Sequence, residues 1–131
     1  MICKSNFPTS ILNSSMQPAP LTLAPFTEGD LWEGIPALSL TVNGTVPASP
    51  IEVVTMRFQR AGAVPSVAVG LTSATAGQIT IVDAANWIIE VPEQVVASLS
   101  YGKWDFQITI KPVGSSKRTY IADTVDVLQT I

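Results

Sequence analysis

Apolar and polar side chains alternate along several stretches of this chain. Between residues 103 and 111, Trp104, Phe106, Ile108 and Ile110 fall on one side and Lys103, Asp105, Gln107 and Thr109 on the other, the period of a strand with one buried face. Ile51–Arg60 repeats the pattern, with Val54, Met56 and Phe58 against Thr55, Arg57 and Gln59. Arg118–Leu128 predicts a last strand, and the polar Gly114-Ser115-Ser116-Lys117 before it predicts a hairpin loop. Shorter β-prone runs lie at 21–26, 31–42 (ending at Asn43-Gly44), 67–71, 78–82 and 87–91, the last closed by Pro92. Residues 93–99 predict a single helical turn crossing between sheets. About seven or eight strands at the spacing of a sandwich, with no alternation of strand and helix, predict an all-β fold: an antiparallel β-sandwich.

The first twenty residues break this pattern. Pro8, Pro18, Pro20 and the Asn13-Ser14-Ser15 cluster make residues 1–20 turn-rich, and we read them as an extended N-terminal arm ahead of a sandwich domain at 21–131. Ile2, Phe7, Ile11, Leu12 and Met16 are too many apolar residues for a solvated tail, so they are the candidate interface, laid along a partner or across the domain. Asn6, Pro8, Thr9 and Ser10 interrupt any apolar run of the signal-peptide kind, and none is expected. Cys3 is the single cysteine, so no internal disulfide can form; with only Lys4 beside it, a passive thiol is the expectation. The sequons at Asn13 and Asn43 are read as chance.

Composition adds a reason to look for neighbours. The 131 residues suit one domain, yet only 13% are charged while 47% are hydrophobic. Membrane insertion does not account for this, because no run approaches the roughly 18 apolar residues a spanning helix needs. Burial of surface against other chains, as a homo-oligomer or within an assembly, accounts for it better. The net charge is −3 with no basic block, so nucleic acid is not an expected partner.

The chain contains no histidine, which removes the commonest general base and zinc ligand. Glu28, Asp30 and Glu33 cluster around Gly29 and Gly34, but their spacing is not that of a calcium loop, and they read as turn chemistry. Asp123 and Asp126 read as ordinary strand or edge residues. Trp87 and Trp104 lie in apolar runs and read as core anchors, whereas Trp32 with Tyr101 or Tyr120 could form a sugar-stacking platform. No catalytic, cofactor-binding or metal-binding residues are assigned, and no cofactor is expected.

The order of the segments GDLWEGIPALSLTVNG, ASPIEVVTMRFQR, GQITIVDAANWIIEVPE, LSYGKWDFQITIKPVG and RTYIADTVDVLQT resembles small bacteriophage structural proteins similar to the N-terminal immunoglobulin-like domain of upper baseplate proteins. The resemblance spans about residues 25–131. It implies an immunoglobulin-like sandwich without enzymatic activity, located in the virion after synthesis in the bacterial host cytoplasm. The role it implies is an adaptor or attachment piece of the tail or baseplate. Its partners would be other virion proteins of tail, baseplate or fibre, or of the capsid, in symmetric copies. Two alternatives stand beside it: a capsid decoration (cement) protein of the phage head, and a carbohydrate-binding β-sandwich module.

Overall fold

The computed structural model describes residues 2–5, 9–11, 18–42, 44–60, 68–96 and 99–129; for 2–5, 9–11 and 68 the backbone alone is described. The chain is all-β, built from β1 (Ile2–Ser5), β2 (Thr9–Ile11), β3 (Phe26–Thr27), β4 (Leu31–Trp32), β5 (Ile35–Thr41), β6 (Ile51–Arg60), β7 (Ala68–Thr72), β8 (Thr80–Asp83), β9 (Ile88–Val91), β10 (Gln94–Val95), β11 (Gly102–Pro112) and β12 (Arg118–Leu128). Among the described residues no helix is long and apolar enough to cross a membrane.

Two five-stranded sheets carry the fold, in the orders β2-β1-β5-β9-β8 and β3-β12-β11-β6-β7, with a two-stranded β4–β10 pair beside them. β11 is the centre of the second sheet, antiparallel to both β6 and β12. Its alternation explains its place: Trp104, Phe106, Ile108 and Ile110 are buried and stand against Phe58, Met56 and Val54 of β6 on the same face. The first sheet contributes Ile35, Leu38 and Leu40 from β5 and Ile89 and Val91 from β9, and both sets join one core cluster. Trp87 and Trp104 are core residues, as the apolar runs around them predict.

Four local readings change. Residues 31–42 are not one strand, because Gly34 takes a φ of +76° and turns the chain out of β4 before β5 begins. Residues 21–26 do not form a ladder until Phe26. Instead Ala19 bridges Ile121 in parallel, and the Leu21 amide is accepted by the Asp123 carboxylate at 3.0 Å. β3 then continues the same parallel run beside β12, so the second sheet is mixed rather than purely antiparallel. Within the helical turn expected at 93–99, Gln94–Val95 instead pairs with Leu31–Trp32; the Leu99 amide donates to the Val96 carbonyl, closing a turn whose residues 97–98 lie outside the described ones.

The largest departure is at the N-terminus. β1 pairs with β5 over Ile2↔Thr41 to Ser5↔Leu38, and β2 folds back on β1, so part of the expected arm is sheet. Ala19 is fully buried and Leu21 nearly so, which carries the core across the expected boundary at residue 20. Among the described residues there are twelve strand segments, several of them pieces of two to four residues.

Candidate interaction surfaces

Ile2 and Ile11 face each other as register partners in β1 and β2. Phe7, Leu12 and Met16 lie outside the described residues. The N-terminal candidates are thus divided between paired strands at the sheet edge and positions outside the described residues.

Six large apolar side chains are exposed among the described residues, and four of them gather at one end of the sandwich: Leu31, Val95, Tyr101 and Leu128, at 58%, 54%, 52% and 49% exposure. Leu31 and Val95 are direct partners across β4–β10. Tyr101 precedes Gly102, whose partner Val127 precedes Leu128, which brings Tyr101 and Leu128 to adjacent strand ends. Glu28 ties them together: its amide donates to the Leu128 carbonyl and its carboxylate accepts the Tyr101 amide, both at 2.9 Å. Glu28 is therefore a structural clasp within the acidic loop. Asp30 closes the turn by donating its amide to Thr27.

The rim of this patch is held by Arg60. Its guanidinium lies 5.1 Å from the Trp104 ring centre and donates to the Ser100 hydroxyl and, at 3.1 Å, to the Tyr101 carbonyl. The signal for Leu128 was present in the sequence, since it follows inward Val125 and Val127 by an odd step. Nothing local marks Leu31 and Val95, because their pairing joins residues 64 positions apart by number, as 95 minus 31.

The sugar-stacking platform is not formed. Trp32 is 2% exposed, stacked on Phe26 with centroids 5.7 Å apart and edge-on to Phe58 at 5.8 Å. Tyr120 is 6% exposed and packs edge-on against Trp87, so neither ring offers a flat face. Asp123, read as an ordinary strand residue, points to the core side of β12, where it anchors Leu21.

Two concave surfaces stand out among the described residues. One, about 470 Å³, has apolar walls from Leu21, Leu23, Ile35 and Pro36 with Glu33 and Glu93 at its lining. The other, about 580 Å³, lies between the β11–β12 loop and residues 47–49. Among the described residues no group of three or more cysteines and carboxylates is placed to hold a metal ion. Comparison with protein-family models, curated proteins and solved structures finds no match to this chain.

Proposed function

We propose that this chain is a non-enzymatic structural protein of a bacteriophage particle: an immunoglobulin-like sandwich acting as an adaptor or attachment piece of the tail or baseplate, assembled in symmetric copies with other virion proteins. The observation that carries the assembly role is the apolar patch of Leu31, Val95, Tyr101 and Leu128 at one end. In a chain with only 13% charged residues, such a patch is the place where a neighbour would gain most by covering it. The strand order supports the immunoglobulin-like part of the reading. β1-β5-β9-β8 facing β12-β11-β6-β7 follows the sequence in which such domains deal strands to their two sheets, with β3 as the short parallel strand beside β12. The phage part rests on the segment resemblance. Burial of Trp32 and Tyr120 speaks against a carbohydrate-binding module that stacks sugars on them.

The test is to quantify this protein in purified particles by mass spectrometry, against the tube and capsid proteins, for the natural chain and for a Leu31→Lys, Leu128→Lys variant. A few copies in a multiple of the tail symmetry, falling at least about tenfold in the variant, is the expected result. Hundreds of copies tracking the capsid protein would move the protein to the head, and its absence from particles would overturn the virion reading.

A further inference from the structure

The cleft of about 580 Å³ between the β11–β12 loop and residues 47–49 has the size of a small-molecule site and the wrong polarity for an ordinary packing defect. Its lining includes Ser49, Ser115, Ser116, Lys117, Arg118 and Tyr120, and no acidic residue. Neither Lys117 nor Arg118 has an ion-pair partner among the described residues, where the one salt bridge joins Lys111 to Glu52. A net-negative chain thus keeps two adjacent, uncompensated cations on one rim.

Beneath them sits Tyr120, in a backbone irregularity that aims it. Along β11 and β12, Ile108 pairs with Ile121 and Thr109 with Thr119, which leaves Tyr120 as the extra residue of a β-bulge. The bulge puts two neighbouring residues, Tyr120 and Ile121, on buried positions, and it frees the Tyr120 carbonyl to accept the Ala19 amide at 2.9 Å. The ring is fixed edge-on to Trp87 at 5.4 Å, and Trp87 is itself fixed by its indole N–H donating to the Ser49 carbonyl at 2.8 Å. The residue as a whole is 6% exposed and lines the cleft, and its hydroxyl has no hydrogen-bond partner among the described residues. A hydroxyl in the wall of a cleft with no protein partner is free to donate to whatever occupies that cleft.

The loop is also preformed. Val113 donates its amide to Pro50 at 2.9 Å and Ser115 to Pro112 at 3.1 Å, so the β11–β12 turn is tied to the opposite wall. A space lined by serines, a tyrosine and two cations, with no acidic residue, favours a ligand that accepts hydrogen bonds and carries negative charge.

We propose that this cleft binds an oxyanion, a carboxylate or phosphate group, with Lys117 and Arg118 as its cationic rim and the Tyr120 hydroxyl as a donor in its wall. The group belongs either to a free small anion or to an acidic side chain of a neighbouring polypeptide. The proposal does not depend on the virion reading.

Amide-resolved NMR titration of the folded chain, at ionic strength held constant with chloride, tests it with three probes: inorganic phosphate, citrate and a short Glu-rich peptide. Saturable shifts confined to Ser115, Ser116, Lys117, Arg118 and their surroundings are expected. Saturation by phosphate or citrate identifies a free-anion site, and saturation by the peptide alone identifies a neighbour's carboxylate. Arg118→Ala should weaken binding at least about tenfold. Tyr120→Phe should weaken it severalfold while leaving the thermal midpoint unchanged or raised, because the hydroxyl it removes has no protein partner. A lower midpoint with unchanged affinity would make Tyr120 purely structural and overturn its role as donor. Non-saturating shifts with all three probes, or binding indifferent to Arg118→Ala, would overturn the site.

Discussion

At Gly34 a methyl group would stand 2.0 Å from the Val91 carbonyl oxygen and 2.9 Å from the Pro92 backbone, at a φ of +76° that side chains rarely adopt. Both objections act at once, and neither can be relieved by moving a flexible side chain, because the obstacle is backbone. The position also decides the architecture, since the turn here separates β4 from β5 and sends the chain from the β4–β10 pair to the first sheet. Gly34→Ala should cost about 2–3 kcal/mol. Gly114→Ala is the control, having a φ of +75° but nothing within contact distance of its added methyl, and should cost less. Chemical denaturation of both variants checks this: equal losses would mean that the φ, and not the contact with Val91, sets the cost at Gly34.

At the scale of elements, β1 is the piece that joins the start of the chain to the first sheet. It lies between β2 and β5, so removing residues 1–11 takes away two strands and leaves the β5 edge unpaired. Such a truncated chain is expected to melt at lower temperature and to associate through that edge, measured by thermal unfolding and by sedimentation as protein concentration rises. An unchanged midpoint with a monomeric chain would show that the pairing adds nothing to the sandwich. The same element shows where sequence reading ends. β6, β11 and β12 were legible because each has one face in the core, and that face repeats every second residue. Ile2-Cys3-Lys4-Ser5 has no such repeat, and β3, β4 and β10, at two residues each, are too short to show one. They become strands only because a partner far along the chain arrives beside them. The cleft divides the same way. Its loop, Gly114 to Lys117, was legible as a polar turn, whereas the bulge that aims Tyr120 leaves no mark beyond two adjacent buried residues, Tyr120 and Ile121.

At the scale of the whole molecule, few charges and no histidine leave little to titrate near neutrality, so the pH dependence of stability is set at the two ends. At the acid end, hydrogen bonds from the Asn86 side chain and amide hold the Asp83 carboxyl below the usual carboxylate range. That contribution is present above the ordinary carboxylate pKa and is lost as pH falls through the lowered one; because Asp83 is at the surface, the effect is small. At the alkaline end, burial pushes the Tyr120 phenol above its usual value, against the opposing pull of the Arg118 charge. Once pH passes the ordinary tyrosine value of about 10, the unfolded chain gives up this proton while the folded chain keeps it, so unfolding gains a driving force and stability falls. Thermal midpoints of the natural chain should therefore decline on the alkaline side, and Tyr120→Phe should flatten that decline without altering the acid limb. If the alkaline limb is the same in both proteins, the buried phenol is not its cause. A flattened limb would also bear on the cleft, because a phenol that keeps its proton through neutral and mildly alkaline solution remains a hydrogen-bond donor over the range in which an oxyanion would seek one.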